Sequence, residues 1–555
     1  MEQPGLEQLV QGKRSVVKEK QAVASSSHPL VTQTILNTMQ AGGNAIDAAI
    51  AGSLLQAVVE PHMTNHAGTV NVLLWDHQSQ RSYQLNSMGT LVPGLSPFQP
   101  LPRDIDTAFA CIPGFMPGLR ALYERFATMK WSVLCEPAIE AAREGYIMYP
   151  FQYSMLDSSW RSITYFPCSR KLFTPEGFLP RVGERFRNQD LAGTLEALAE
   201  EGPEYFTRGG WAKHFVKRAN DMGWPIKLSD MEAIPPRWQE PLAYTHRGFE
   251  VVQSSPPEQA GVFSQYFLGV LEAMDVPGIG HYTESAESLY LVAHLLRWIG
   301  NELGLLQDPE IFGVPVDTWG SSAYHAAVAA IIKGSQPRID LSEHVELTAG
   351  KPAIESLGLR PPSSGPMRTP SSCELSIVDR DGNWVQMLHT CQSGGIPGVV
   401  VDGVPMKGSI ASAHLRDLRA GITGWSTGGG RIKSVAASTL LLKDGKPWLG
   451  MGSPGWCKLG IALMLHNILD FGMDPYKASL QPRMFPLDDD YTLEIENRLS
   501  DEVLIGMMQR GIRVKPLNKF NWGMGSFQIS WLDLVDGRLN ASADPRRIGS
   551  AGGID

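Results

Sequence analysis

Apolar residues recur at helical spacing near the start of the chain. The run 30–39 predicts one helix, which Ala41-Gly42-Gly43 ends. A second helix is predicted to begin at Asn44, because Asn is a favoured N-cap and Asp47 follows it in a pattern that resembles a capping box. Pro61 stops this helix. Most of its regularly spaced positions hold small residues, so we expect it to lie buried against a sheet.

The pattern then stays mainly helical as far as residue 300. A β-rich run at 69–75 predicts the first strand, and a second strand is expected at 250–254. Helical stretches are predicted near 119–127 and 137–144. This part of the chain therefore reads as helix-rich with few strands.

Beyond residue 360 the pattern changes to strands. The stretch 361–372, which reads PPSSGPMRTPSS, favours neither helix nor central strand and is typical of a linker. Three hairpins with Asp-Gly turns follow, and two helices interleave with them near 458–470 and 501–510. The hairpins pair 375–378 with 384–390, 439–442 with 448–451, and 529–534 with 539–542. We expect an α+β fold in which helices sandwich two sheets.

Composition narrows the class of protein. The 555 residues are 43% apolar and 19% charged, which suits a large buried core. A net charge of −9 without a basic stripe argues against nucleic acid as a partner. No run approaches 18 apolar residues, which argues against a membrane span. A small-molecule substrate is the partner we expect.

The N-terminal segment and the cysteines indicate the cellular compartment of the protein. Residues 1–20 are polar and lack an apolar core, so no secretory signal is expected. None of the six cysteines lies in a CxxC pair, and their spacing fits no zinc template. Reduced thiols in a cytoplasmic protein are the expected reading. His62 and His66 are spaced i, i+4 but lack an HExxH context, so we favour loop histidines and predict no metal and no cofactor.

The segment 371–383 could carry chemistry. Ser372 lies between the linker-like stretch and a buried strand. If the peptide bond before it were cut, its hydroxyl and a new α-amine would lie on one residue. An α-amine has a pKa near 8 and can act as general base for the hydroxyl. The spacing allows this chemistry without proving it, because serines before strands are common.

Several further blocks of the chain resemble one family. They are AGGNAIDAA at 41–49, VEP at 59–61, Pro113-Gly114, 138–145, RGF at 247–249, SSPP at 254–257, GSPG at 452–455, Pro482-Arg483 and ADPR at 543–546. With 376–381 they are similar to the γ-glutamyltransferase (γ-glutamyl transpeptidase) family of N-terminal-nucleophile hydrolases. The resemblance covers most of the chain.

The resemblance implies a self-cleaving proenzyme. Matching over 376–381 places the nucleophile at Ser372, so the chain would split between Ser371 and Ser372. A helix-rich large chain of 1–371 and a β-rich small chain of 372–555 would remain associated as a heterodimer. Together they would form one four-layer αββα sandwich of the N-terminal-nucleophile type.

The resemblance also implies roles for single residues. Thr390 would hydrogen-bond the nucleophile, and the N–H groups of Gly455 and Trp456 would form the oxyanion hole, although the family has glycine in place of Trp456. The candidate substrate-binding residues are Gln392, Lys407, Ser409 and Ser434.

This sequence departs from the family at the positions that hold a glutamyl head group. The family's Ser-Ser pair reads Ser434-Val435, the carboxylate-bearing stretch reads KGSIAS at 407–412, and no arginine lies near 86–88. An α-amino acid needs an anion for its ammonium and a cation for its carboxylate. We therefore expect an amide or related acyl substrate other than a standard γ-glutamyl compound. Lys407 could hold an acidic acyl group, but a solvated loop lysine is favoured.

Three alternatives stay open at this point. The enzyme could cleave a C–C bond next to a carbonyl, as some relatives in specialised-metabolite pathways are associated with doing. Cys373 could replace Ser372 as nucleophile. The chain could also be an unprocessed, non-catalytic member of the family.

Overall fold

The structure is a computed structural model that describes residues 3–95, 109, 111–233, 235–334, 371–391, 398–406, 428–455 and 457–555. Two seven-stranded antiparallel sheets dominate this part of the chain. In spatial order, sheet 1 consists of Val17–Glu19, Leu539–Ala543, Gln528–Leu532, Lys446–Gly452, Thr439–Lys443, Phe249–Gln253 and Leu242–His246. Sheet 2 consists of Ser550–Ile554, Ala22–Ser26, Cys373–Val378, Trp384–Thr390, Thr69–Asp76, Arg81–Ser87 and Arg237–Gln239.

The sheets pack face to face, and helices cover both outer faces. One apolar core joins sheet 2 to the helices Pro29–Gln40, Ala45–Val59, Phe115–Phe126, Trp131–Glu144, Pro150–Ser158, Gln189–Glu201 and Gly210–Asp221. A second core joins sheet 1 to the helices Ala260–Met274, Ala286–Glu302, Ser322–Gly334, Cys457–Leu465 and Asp501–Gln509. The expected four-layer αββα sandwich is confirmed.

The predicted N-terminus of the second helix is also confirmed. The Asn44 side chain accepts the N–H groups of Ile46 and Asp47, and the Asp47 carboxylate accepts the N–H of Asn44. Every residue of the helix Ala45–Val59 is buried. Its first N–H also donates to the Asp379 carboxylate at 2.8 Å, which ties the helix to the turn after the strand Cys373–Val378.

The expectation of few strands before residue 300 is wrong. Both sheets take strands from before residue 335 and from after residue 370. The missed strands include Ala22–Ser26 and Ser550–Ile554, which flank the strand Cys373–Val378 on one side of sheet 2. Ala22–Ser26 is buried at every position and built from small residues, so it lacks the alternation that marks a half-exposed strand.

The structure leaves the linker expectation untested, because residues 361–370 lie outside the described residues. Within the described ranges, no helix combines the length and apolarity that crossing a bilayer requires.

Candidate active site

Ser372 lies immediately before the central strand Cys373–Val378, and alternation along this strand separates two environments. Cys373 and alternate residues after it belong to the core beneath the helices. Glu374 and Ser376 instead face sheet 1, where the Ser376 hydroxyl donates to the Ser530 hydroxyl at 2.9 Å. Ser372 lines a small cavity at the start of this inner layer.

The backbone of Ser372 is held in an unusual conformation. Its φ of 88° falls in a region that favours glycine, and such strain costs about 1–3 kcal/mol. Its N–H donates to the carbonyl of Met63 at 3.2 Å. Its own carbonyl accepts a hydrogen bond from Arg547 Nη1 at 2.9 Å. The residue is therefore fixed from both sides by groups that the sequence did not single out.

The carbonyl of the preceding residue meets the predicted oxyanion donor. Gly455 N–H donates to the carbonyl oxygen of Ser371 at 3.1 Å. Gly455 has a φ of 89°, and a Cβ there would come within 3.0 Å of Gly525 Cα, so the turn requires glycine. The hydrogen bond polarises the peptide group that joins Ser371 to Ser372. Trp456, the second predicted donor, lies outside the described residues.

Thr390 lies at the end of the neighbouring strand and reaches the same junction. Its hydroxyl is 3.0 Å from the hydroxyl of Ser371, one residue before the predicted nucleophile. The loop at Gly68 presses against this strand end, since a Cβ on Gly68 would fall 2.2 Å from the Thr390 carbonyl oxygen.

The cavity beside Ser372 is small, about 20 Å³, which is room for about one water molecule. Its described lining carries no ionisable group other than a thiol and consists of Met88, Ser371, Ser372, Leu388, Thr390, Ser434, Val435, Ala436, Gly455 and Cys457. A larger cavity of about 350 Å³ is lined by Ser87 and Gly89, the neighbours of Met88, and by Arg120 and Arg431.

Sequence reasoning missed Glu258, which supports Ser434 from behind the cavity wall. The Ser434 hydroxyl donates to Glu258 Oε2 at 2.6 Å, and Asn86 Nδ2 donates to Glu258 Oε1 at 3.0 Å. Burial raises the pKa of Glu258 to about 7, against the opposing effect of these hydrogen bonds. A lone carboxylate between the double proline and an apolar helix was the available signal.

A second buried carboxyl, Glu60, lies on the helix-facing side of the central strand. Cys373 Sγ donates to Glu60 Oε2 at 3.2 Å, and the Tyr149 hydroxyl donates to Oε1 at 3.4 Å. Burial raises the pKa of Glu60 to about 7 and also raises the pKa of the Cys373 thiol. Cys373 does not line the cavity beside Ser372, so the geometry does not favour it as a rival nucleophile.

The two loop histidines are fully buried and point to different surroundings. His66 Nε2 lies 3.1 Å from the Leu54 carbonyl oxygen, whereas the His62 ring packs edge-on against Tyr149 and Phe151. Burial lowers the pKa of both imidazoles. Among the described residues, no group of three or more His, Cys, Asp or Glu side chains is arranged to hold a metal ion.

The structure thus brings together four of the predicted site residues: Ser372, Thr390, Gly455 and Ser434. Gln392, Lys407 and Ser409 lie outside the described residues, as Trp456 does.

Comparison with known proteins adds an independent line of evidence. A family model described as gamma-glutamyltranspeptidase matches residues 31–554. The glutathione hydrolase proenzyme of Escherichia coli (strain K12) is 25% identical and aligns with 96% of this chain and 91% of its own length. The glutathione hydrolase-like YwrD proenzyme of Bacillus subtilis (strain 168) is 26% identical, with 98% and 100% covered.

Among solved structures, a cephalosporin acylase from Bacillus halodurans superposes with a TM-score of 0.81 at 23% identity. The superposition covers 98% of both chains. At that identity the likeness concerns the fold.

Proposed function

The chain belongs to the gamma-glutamyltranspeptidase family of enzymes, and from this premise we propose that it cuts its own Ser371–Ser372 bond and then works as a hydrolase or acyltransferase. The observation that carries the proposal is the contact between Gly455 N–H and the Ser371 carbonyl, next to a strained Ser372. The peptide that must break is the one that is polarised and strained.

Self-cleavage would proceed by an N-to-O shift. Ser372 Oγ adds to the carbonyl carbon of Ser371, and Gly455 N–H stabilises the developing oxyanion, an effect typically worth about 3–4 kcal/mol. The C–N bond breaks as nitrogen takes up a proton, which leaves an ester between Ser371 and Ser372 Oγ. Water then hydrolyses the ester, giving a carboxylate on Ser371 and a free hydroxyl and α-amine on Ser372.

The same groups would serve an external substrate. The new α-amine accepts the proton of Ser372 Oγ as the oxygen attacks a substrate carbonyl, then returns it to the leaving group. Water or a second amine resolves the acyl-enzyme. In the uncut chain the Ser371 carbonyl accepts the hydrogen bond of Gly455 N–H. A substrate carbonyl can bind there only after Ser371 has moved away.

We place the substrate among amides or related acyl compounds other than standard γ-glutamyl compounds. The relatives named as glutathione hydrolases support amide chemistry in the family. The lack of Lys and Arg in the described cavity lining supports the distinction, because the α-carboxylate of a glutamyl head needs a cationic partner. Purified, cut protein should release p-nitroaniline from γ-glutamyl-p-nitroanilide only slowly, and rapid turnover would refute this distinction.

We also propose a cytoplasmic heterodimer of residues 1–371 and 372–555. None of the six cysteines, all of which lie in the described ranges, forms a disulfide, as expected of a reducing compartment. The proenzyme names of the relatives support a cut chain.

A denaturing gel with N-terminal sequencing tests the proposal. We expect two bands, of about 40 and 20 kDa at roughly 110 Da per residue, and a small chain that begins Ser-Cys-Glu. Ser372→Ala should leave a single 60.8 kDa band. Ser371→Ala is the matched control, since it is the adjacent buried serine and should still be cut. A small chain that begins Ser-Ser-Cys, or cleavage in Ser372→Ala, would contradict the assignment of the nucleophile.

A further inference from the structure

We propose that Glu258 fixes Ser434 as a hydrogen-bond acceptor, so that the site selects acyl groups with a hydrogen-bond donor, above all an ammonium, at the end that meets Ser434. This inference deepens the proposed function and rests on it. Ser434 lines the cavity beside Ser372, whereas Glu258 lies behind it and acts through it.

The direction of the Ser434 hydroxyl follows from counting protons. A serine hydroxyl has one proton to donate and two lone pairs. The Ser434 proton points to Glu258 Oε2 at 2.6 Å, and one lone pair accepts the N–H of Ala436 at 2.9 Å. Counted against the described residues, one lone pair is left, so Ser434 can accept a hydrogen bond from a ligand but has no proton to give while Glu258 is ionised.

Backbone contacts hold the two residues in this arrangement. Glu258 and Ser434 face each other across a short parallel bridge, and the N–H of Gln259 donates to the Ser434 carbonyl at 3.0 Å. Asn86 donates to the other carboxylate oxygen. Both Glu258 oxygens are therefore acceptors, and the pair cannot separate without breaking main-chain bonds.

The charge of Glu258 acts in the same direction. Its side chain is fully buried, and it forms no ion pair with any Lys, Arg or His in the described ranges. Above its pKa of about 7 the buried Glu258 carboxylate attracts a cation that approaches within a few ångströms and repels an anion. A ligand carboxylate next to Ser434 would be repelled by the lone pair of the Ser434 hydroxyl and by the negative charge of Glu258.

Three p-nitroanilides with the same five-carbon acyl chain test the inference in the cut enzyme. They are 5-aminopentanoyl, glutaryl and pentanoyl p-nitroanilide, which end in an ammonium, a carboxylate and a methyl group. We expect kcat/KM to be at least about tenfold higher for the amino than for the glutaryl compound, the range typical of one mispaired buried polar group. Binding of 5-aminopentanamide and glutaramate by calorimetry gives the same comparison without turnover.

Glu258→Gln is the informative variant. A glutamine can offer Nε2 to Ser434, which frees the serine proton and removes the charge, so the amino-to-glutaryl ratio should fall at least about tenfold. Glu302→Gln is the matched control: Glu302 is also a buried carboxyl that accepts hydroxyl protons, from Tyr266 and Tyr324, but it lines neither of the two cavities described above. The amino-to-glutaryl ratio of kcat/KM in Glu302→Gln should equal that of the parent enzyme.

The outcomes separate the two proposals. A cut enzyme that prefers the glutaryl compound or binds glutaramate more tightly, or an unchanged ratio in Glu258→Gln, overturns the role of Glu258 and leaves self-cleavage standing. A chain that stays uncut contradicts the proposed function and this inference with it.

Discussion

At the scale of single residues, three features meet at the junction between Ser371 and Ser372. They are a positive φ, a polarised carbonyl and a neighbouring hydroxyl on Thr390. The family resemblance predicted Ser372 as the nucleophile and Gly455 as an oxyanion donor. It could not indicate that Met63 and Arg547 hold the junction, because a backbone carbonyl and a residue 175 positions away carry no local signature.

Gly455→Ala should slow self-cleavage. A Cβ at a φ of 89°, crowded by Gly525, would move the N–H away from the Ser371 carbonyl. Loss of one oxyanion donor typically costs about 10²–10³ in rate. The rate is measured by the disappearance of the 60.8 kDa band after synthesis in a cell-free system.

Gly445→Ala is the control for this experiment. Gly445 also has a positive φ, 74°, but lies in an open hairpin turn with nothing within 4 Å of the added Cβ. The Gly445→Ala chain should therefore cleave itself at the rate of the parent chain. Equal rates for both variants would remove Gly455 from the mechanism.

Glu60 should make stability fall as pH rises. Its pKa is about 7 in the folded chain against 4.5 as the reference value, so between these values the folded state binds the proton and the unfolded state does not. The free energy of unfolding therefore decreases with pH over this range. From pH 5 to pH 8 this one group should cost about 2 kcal/mol, and Glu60→Gln should abolish that loss.

Urea unfolding at several pH values measures this effect. The Ser372→Ala background keeps one chain, so unfolding is not coupled to dissociation. Glu144→Gln, on the exposed end of a helix, should follow the parent profile. A parent profile that Glu60→Gln leaves unchanged would disprove the role of Glu60.

At the scale of elements, the turn after the central strand also serves the helix Ala45–Val59. The Asp379 carboxylate accepts the first N–H of that helix and two N–H groups of its own turn. The Asp-Gly sequence predicted this turn and the Asn-x-x-Asp pattern predicted the helix start. Their meeting could not be predicted, because it depends on residues more than 300 positions apart.

Asp379→Ala should lower the free energy of unfolding by about 2–3 kcal/mol in the Ser372→Ala background, since one buried and two partly buried N–H donors lose their acceptor. The neighbouring Asp381→Ala, at an exposed position, should change it by less than about 0.5 kcal/mol. Urea midpoints measure both. Similar losses in the two variants would show that the turn, and not the helix cap, is responsible.

At the scale of the whole molecule, the two proposed chains are interleaved. In sheet 2 the strand Cys373–Val378 pairs with Ala22–Ser26, and Trp384–Thr390 pairs with Thr69–Asp76. In sheet 1 the strand Phe249–Gln253 pairs with Thr439–Lys443. The sequence predicted the layers but not this mixing. The short strands near the two ends show no alternation of exposure, because Ala22–Ser26 is buried at every position and Ser550–Ile554 is half-buried at every position.

The cut protein should therefore behave as one particle. A tag on residue 555 should retain the 1–371 chain through extensive dilution, because separation would break main-chain ladders in both sheets. Gel filtration should give the same elution volume for cut protein and for Ser372→Ala, which is the uncut control. Loss of the large chain on dilution would contradict the interleaving.

The carbonyl of Ser371 occupies the position that a substrate carbonyl would need. Under the proposed self-cleavage, the backbone of each new molecule would block its own active site, and its first reaction would be the cleavage of its own Ser371–Ser372 bond. Activity would then begin at a time set by the fold of each copy and would not depend on how much enzyme has accumulated. Newly made protein would lag by the same interval in a dilute and in a crowded cell.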